Sequence, residues 1–124
     1  MDFGTYIAEL REKKDLSLRQ LEEKAGDLSH VYIWRLEKGD RIAPSPETLE
    51  KLTTALGATS REREIASLLV KTKIEDSLYQ LIVKRPDIPI EDFEPVATMS
   101  FRGSRPTTPE AWLQLINMVK SLKP

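Results

Sequence analysis

The sequence predicts an all-α protein, on three observations. Apolar residues recur at helical spacing through most of the 124 residues. No segment has a convincing strand pattern, and the chain contains neither an internal repeat nor a low-complexity tract. Several apolar segments also begin with a serine or threonine of the kind that caps helices, namely Ser17, Ser29, Ser45, Thr59 and Thr108. We therefore expect helices packed on helices.

The N-terminal half predicts four helices, bounded by residues 3 and 14, 17 and 26, 29 and 39, and 45 and 57. The second begins with the capping box Ser17-Leu18-Arg19-Gln20 and ends at Gly26. Within the third, Ile33 and Leu36 take the inward positions. The outward positions of that helix are held by His30, Val31, Trp34 and Arg35.

The C-terminal half predicts further helices joined by turns. A capping box at Thr59-Ser60-Arg61-Glu62 begins a helical periodicity that reaches about Lys84, as one helix or as two with a break near Lys73. Prolines impose a turn over residues 85–89, and a short helix follows with Pro95 in its first turns. The apolar residues assigned to that helix are Phe93, Val96, Ala97 and Phe101.

A last helix begins at Thr108-Pro109-Glu110, after a basic loop over residues 102–106. Its apolar stripe consists of Trp112, Leu115, Ile116, Val119 and Leu122. The chain is thus expected to contain two domains, a DNA-binding domain over residues 1–72 and a small helical dimerisation domain over residues 73–124.

Residue content removes most enzyme classes. The chain has no cysteine, and His30 is its only histidine. Disulfide frameworks, thiol nucleophiles, zinc sites and Ser-His-Asp triads are therefore not expected. We expect a protein that is not an enzyme, with no catalytic residues, no metal site and no cofactor. No stretch approaches the roughly 20 apolar residues of a membrane helix, and the N-terminus lacks a secretion signal, so we expect a cytoplasmic protein without a membrane partner.

The charge balance restricts how the chain could bind nucleic acid. Its formal net charge is −1, so bulk positive charge cannot drive binding. Any contact with DNA must be local, and useful affinity requires two copies of the domain acting together. Dimerisation is therefore part of the DNA-binding hypothesis.

The second and third helices, joined by a turn that contains glycine, have the layout of a DNA-reading helix pair. Residues near the start of the reading helix are the ones that reach base edges in the major groove. His30 can donate to or accept from a base edge, Val31 can touch a thymine methyl group, and Arg35 can grip guanine. Lys38 and Arg41 follow where phosphates would lie.

Plainer interpretations of these residues stay open at this point. His30 could be an ordinary surface histidine, and Trp34 could pack against the fourth helix instead of entering the groove. Arg35 and Lys38 could be solvated charges that pair with neighbouring acids at little energetic gain. Their position in the helix pair favours the DNA-binding interpretation.

The segments over residues 18–26, 29–39 and 44–49 resemble the XRE, or Cro/C1-type, helix-turn-helix family. The resemblance covers about residues 3–57, and it implies an N-terminal five-helix, lambda-repressor-like domain. It also implies that Ser29, His30, Val31 and Arg35 occupy base-reading positions and that Ser17 and Lys38 lie near phosphates. Trp34 and Arg41 complete the predicted DNA-binding set. The turn holds one extra residue relative to the family, at Asp27-Leu28.

The C-terminal half carries a second resemblance. The run Met99-Ser100-Phe101-Arg102-Gly103-Ser104-Arg105-Pro106, followed by a tryptophan-bearing last helix, is similar to DdrO-type DNA-damage-response repressors over most of residues 78–124. This resemblance implies a dimerisation domain that a separate metallopeptidase of the ImmA/IrrE type inactivates by cutting between Phe101 and Arg102. A cut there would sever the helix that carries Trp112.

The stripe on the last helix can serve as core, as a dimer contact or as both. A domain of about 50 residues is too small to bury all of its apolar surface, so sharing that surface across a two-fold axis is a natural solution. Trp112, Leu115, Ile116, Val119 and Leu122 are therefore the predicted dimer interface. The loop at Arg102-Gly103 could also be an ordinary linker.

The leading functional hypothesis is a sequence-specific transcriptional repressor that binds an inverted repeat as a homodimer. The resemblance places it in the DNA-damage or stress response, with repression relieved by cleavage. The alternative is an antitoxin, or a regulator of a prophage or mobile element, whose C-terminal half binds a protein partner. An enzyme is the weakest hypothesis, because the chain has no converging set of histidine, cysteine and paired carboxylates.

Overall fold

The computed structural model describes residues 1–40 and 43–122, and these residues form eight α-helices and no strand. The helices are α1 (Phe3–Lys13), α2 (Leu18–Ala25), α3 (His30–Lys38), α4 (Pro46–Ala55), α5 (Ser60–Lys71), α6 (Asp76–Lys84), α7 (Ile90–Ala97) and α8 (Pro109–Ser121). The all-α prediction is confirmed. Within the described part of the chain, no helix is long and apolar enough to cross a membrane.

The chain divides into two compact units, one of Asp2–Lys73 and one that runs from Ile74 onwards and includes Met1. The first unit contains α1 to α5, and the second contains α6 to α8. In the first unit α1 packs against α3 and α5, while α2 packs against α3 and α4. Buried leucine and isoleucine side chains fill the space between these helices, including Ile7, Leu21, Ile33, Leu52 and Leu56.

Side-chain caps explain where the helices of the first unit begin. Ser17 and Thr59 each accept a hydrogen bond from the backbone three residues ahead, and Gln20 and Glu62 reach back to close both predicted capping boxes. Asp2 caps α1 in the same way by accepting from the backbone N–H of Thr5 at 2.8 Å. Each of these bonds satisfies backbone donors that have no partner inside their helix.

Residues 60–84 form two helices with residues 72–75 between them, which is the second of the two predicted alternatives. The helix that follows differs from the sequence prediction. The short helix α7 starts directly after Pro89 and ends at Ala97, so Phe101 lies beyond it and Pro95 sits in its second half, not in its first turns. Assigning Phe101 to this helix was wrong, because its apolar spacing continues past the residue at which the backbone leaves the helix.

The core of the second unit is built around α8, which packs against α6 and α7. Trp112 and Ile116 point from α8 into this core and are fully buried, as is Phe93 of α7. The indole N–H of Trp112 donates to the hydroxyl of Ser77 on α6 at 2.8 Å. This bond satisfies the one polar atom of a buried tryptophan side chain.

Glu62 is a buried carboxylate in the first unit that receives three donors. Its side chain accepts from the backbone N–H of Thr59 at 2.8 Å, from Lys13 Nζ at 3.0 Å and from Lys14 Nζ at 3.1 Å. Burial raises the pKa of Glu62, but the bond from Thr59 and those from the two lysines outweigh it and lower the pKa to about 2. Glu62 therefore connects the end of α1 to the start of α5 as an anion.

This lowered pKa predicts a pH-dependent contribution to stability. In the folded state the pKa is depressed, so the contribution is present above the ordinary value of 4.5 and is lost as the pH falls towards about 2. Near neutral pH, Glu62→Gln should lower the free energy of unfolding by about 2–3 kcal/mol, because glutamine keeps the cap on Thr59 but loses the lysines.

Urea titrations of Glu62→Gln and the parent protein at several pH values check this expectation. The difference between the two free energies of unfolding should disappear as the pH is lowered from 4.5 to about 2. Glu64→Gln is the matched control, because Glu64 is an exposed carboxylate on the same helix. A difference that stays constant down to a pH of about 2 would contradict the ionic role of Glu62.

Candidate nucleic-acid interface

The predicted helix pair is formed by α2 and α3. The turn between them starts at Gly26, whose φ of 81° suits glycine, and continues through Asp27 and Leu28. Leu28 is buried in the unit, and Asp27 pairs with Lys51 of α4 at 2.6 Å. The turn is therefore packed on its apolar side through Leu28, and its exposed side is paired with α4 through Asp27.

Helix α3 has one buried face and one exposed face. Ile33 and Leu36 lie in the core, whereas Val31 and Trp34 are 48% and 44% exposed. Arg35 and Lys38 lie on the exposed face as well. Within the described residues, no hydrogen bond or ion pair engages the side chains of Trp34, Arg35 or Lys38. The exposed face of α3 thus combines apolar area with cationic groups that are available for a ligand.

A close crossing with α1 sets the position of α3. A Cβ atom at Gly4 would overlap the carbonyl oxygen of Leu36 and lie 2.7 Å from that of Glu37. Glycine is therefore needed at this position for the backbones of α1 and α3 to touch. The sequence prediction did not include Gly4, since a glycine in the first turn of a helix does not reveal which element lies opposite.

An ion pair of low exposure holds the same two helices together. Arg11 of α1 donates from Nε and from one terminal nitrogen to the two carboxylate oxygens of Glu37, at 2.7 and 3.0 Å. Its other terminal nitrogen donates to the carbonyl oxygen of Leu16 at 2.9 Å. The hydrogen bond to Glu37 raises the pKa of Arg11 above its ordinary value. This fork fixes the end of α3 against α1 and the chain that leads into α2.

The start of α3 is held by side chains of the turn and of α2. Ser29 accepts from the backbone N–H of Tyr32 at 3.1 Å and is the N-cap of the helix. Glu22 of α2 accepts from the backbone N–H of His30 and lies 3.0 Å from its ring Nδ1. Sequence reasoning missed Glu22, because its contact with His30 depends on how the intervening turn folds.

The structure places seven of the eight residues of the predicted DNA-binding set. His30, Val31, Trp34, Arg35 and Lys38 belong to α3, Ser29 caps it, and Ser17 caps α2. Arg41 lies outside the described residues. Two of the placed residues, Ser17 and Ser29, already act as helix caps, and the other five lie along α3.

The predicted dimer-interface residues separate into two groups. Trp112 and Ile116 are buried inside their own unit, whereas Leu115 and Val119 are half-buried and Leu122 is 77% exposed. Met118, which the sequence prediction did not include, is 61% exposed on the same helix. The exposed apolar area of α8 thus lies towards its C-terminal end.

The predicted cleavage loop is partly anchored. Phe101 meets the ring of Trp112 edge-on, with the ring centroids 5.9 Å apart. The guanidinium of Arg105 lies 4.7 Å from the centroid of Phe101 and pairs with Glu75. Arg102 is exposed. The two residues of the predicted cleavage site therefore differ, the first held against α8 and the second open to solvent.

Comparison with known proteins addresses the first unit. Residues 2–66 match the family model of a helix-turn-helix domain. A stretch of 54 residues is 41% identical to the HTH-type transcriptional repressor RghR of Bacillus subtilis (strain 168). This stretch makes up 44% of this chain and 39% of that protein. The match thus spans about two fifths of the length of this curated relative.

The close crossing of α1 and α3 yields a stability prediction. Gly4→Ala should lower the free energy of unfolding by about 1–3 kcal/mol, because the added methyl group meets backbone carbonyls that cannot move without shifting α3. Thr5→Ala is the control, since Thr5 is the exposed neighbour in the same helix turn. Chemical denaturation of both variants provides the comparison, and equal stability of the two would refute the proposed crowding.

Proposed function

The chain belongs to the helix-turn-helix domain family, and we propose that it is a sequence-specific transcriptional repressor that binds an inverted-repeat operator as a homodimer. The observation that carries this proposal is the exposed face of α3, where Val31, Trp34, Arg35 and Lys38 face outward from the second helix of the pair. A helix of this kind fits the major groove. The name of the Bacillus subtilis relative supports repression as the outcome of binding.

Each exposed group on α3 suits a different part of the duplex. Arg35 can donate two parallel hydrogen bonds to guanine, and Val31 can contact a thymine methyl group. Lys38 and Arg41 are proposed to lie near phosphates. Ser17 would approach a phosphate from the start of α2, while Ser29 and His30 would approach base edges from the start of α3. Trp34 offers apolar area beside them. The role proposed is one of binding, not of catalysis.

Charge and exposed surface support the proposed homodimer. With a net charge of −1, one copy of the chain has little general attraction for DNA, so two linked copies are needed for affinity. Two-fold symmetry in such proteins matches half-sites about one helical turn, roughly 34 Å, apart. The half-buried and exposed residues of α8, Leu115, Val119 and Leu122, supply the apolar area for pairing, while Trp112 and Ile116 support that helix from within.

Relief of repression by proteolysis completes the proposal. The resemblance of residues 99–106 to repressors of the DNA-damage response suggests a separate metallopeptidase that cuts between Phe101 and Arg102. The exposure of Arg102 supports access to this bond. Cutting this bond would leave α8 without a covalent link to α6 and α7. Dimerisation and binding to the operator would then be lost together.

Replacing Arg35 tests the reading helix. Arg35→Ala should cost about 1–3 kcal/mol of operator binding and relax specificity at one base pair of each half-site. Lys38→Ala is the comparison, because losing a phosphate contact weakens binding to all sequences alike. Selection of bound fragments from a random DNA pool shows both effects. If Arg35→Ala selects the same motif as the parent with equal strength, α3 does not read DNA through this residue.

Incubation with a cognate metallopeptidase tests the switch. Intact-mass spectrometry should show a single cut between Phe101 and Arg102, and analytical ultracentrifugation should show loss of the dimer after cutting. A peptidase whose metal site has been inactivated is the control. An uncut chain, or a cut at Lys84 or Arg85, would argue against the switch and leave the DNA-binding proposal in place.

A further inference from the structure

Glu22 and His30 form a two-point contact at the start of α3. One oxygen of Glu22, Oε2, accepts the backbone N–H of His30 and lies 3.0 Å from its ring Nδ1. The backbone bond fixes this oxygen opposite the first residue of the helix. The ring must therefore keep its Nδ1 edge turned towards α2 to keep the second bond, and its orientation is set by the neighbouring helix.

The contact also decides which ring nitrogen carries the proton. The backbone hydrogen bond from His30, followed by the bond from its ring, lowers the pKa of Glu22. The carboxylate is thus ionised and has no proton to donate. The proton between Nδ1 and Oε2 must come from the ring. In a neutral imidazole that leaves Nε2, at the tip of the side chain, as an acceptor.

The second ring nitrogen of His30, Nε2, has no hydrogen-bond partner among the described residues. The side chain of His30 is 33% exposed. His30 is the first residue of α3, which is the part of a reading helix that meets base edges. In the neutral ring, Nε2 therefore has one hydrogen-bonding role, that of an acceptor, in the part of the helix where a base would be read.

We infer that Glu22 determines base specificity through His30, by holding the tautomer that presents Nε2 as an acceptor and so selecting a base with an exocyclic amino group. In the major groove only adenine N6 and cytosine N4 offer such a donor. Guanine and thymine present acceptors that would face the lone pair of Nε2. The inference rests on the proposed DNA-binding function and assigns Glu22 as a positioning residue that need not touch DNA.

Two substitutions of Glu22 separate this role from that of a simple helix cap. Glu22→Gln keeps an amide oxygen that can accept both bonds from His30, so tautomer and base preference should be retained. Glu22→Ala removes the acceptor and frees the ring to carry its proton on Nε2. Glu23→Ala is the matched control, since Glu23 is an exposed acid at the next position of α2. All variants are checked for folding by circular dichroism.

The first measurement is the nitrogen-15 spectrum of the histidine ring in the free full-length protein, at about pH 8, where histidine is ordinarily neutral. Because the chain contains one histidine, every ring signal belongs to His30. We expect the proton on Nδ1 in the parent, Glu22→Gln and Glu23→Ala, and a shift towards Nε2 in Glu22→Ala. A parent ring with its proton on Nε2 would overturn the inference without reference to DNA.

The second measurement is selection from a random DNA pool with the same proteins and with His30→Ala. The base pair whose preference disappears in His30→Ala contains the contacted base. In the parent and in Glu22→Gln, binding should weaken about fivefold when the adenine of that pair is replaced by purine, or its cytosine by 2-pyrimidinone, because either replacement removes the amino group. His30→Ala should bind the natural and the replaced base alike. In Glu22→Ala the preference at this base pair should fall about fivefold, as expected for one hydrogen bond.

The outcomes of the selection distinguish the two proposals. An enriched operator that does not depend on His30, or a His30-dependent base pair that loses no affinity when its amino group is removed, overturns this inference and leaves the proposed function standing. An unchanged preference in Glu22→Ala also overturns it. A parent that enriches no sequence refutes the proposed function and this inference with it.

Discussion

The crossing of α1 and α3 is the constraint on which the candidate interface depends. Gly4 allows the two backbones to touch, and the fork from Arg11 to Glu37 holds them in register. The same guanidinium also holds the carbonyl of Leu16, just ahead of α2. Removing either charge alone would leave its partner buried and unpaired. The side chain of Arg11 therefore fixes the position of α3, the proposed reading helix, relative to the segment that precedes α2.

The placement of charge explains how a protein without a net positive charge can present a cationic surface. Five basic side chains of the first unit form ion pairs with carboxylates, namely Arg11, Lys13, Lys14, Lys51 and Arg63. In the described residues, Arg35 and Lys38 of α3 have no such partner. Arg19 and Lys24 of α2 and Lys73 have no ion pair in the described residues either. The fold thus pairs many of its acids with cations and leaves the cations of α3, among others, to a ligand, which agrees with local rather than bulk attraction for DNA.

Helix starts were predictable from the sequence because their causes are local. A capping serine or threonine lies within three residues of the groups it satisfies, so Ser17 and Thr59 could be identified by spacing alone. The end of α7 was not predictable in this way, since Phe101 keeps apolar spacing but packs on Trp112 from a loop. Gly4 and Glu22 were missed because each acts on a residue of another helix, and only the tertiary fold shows which residue that is.

In the second unit, the apolar residues of α8 divide into a buried group that forms the core and an exposed group that is available for dimerisation. The buried side of α8 is fixed by Trp112, through its bond to Ser77, and by Ile116. The exposed side ends in Leu122. A 13-residue helix is marginal by itself in water, so α8 depends on its packing against α6 and α7 to present that exposed side. Cutting the loop that leads into α8 would leave this packing in place at first. A cut would remove the covalent link and with it the high effective concentration of α8 near α6 and α7. The helix could then dissociate from its unit, and the proposed pairing surface on α8 would be lost.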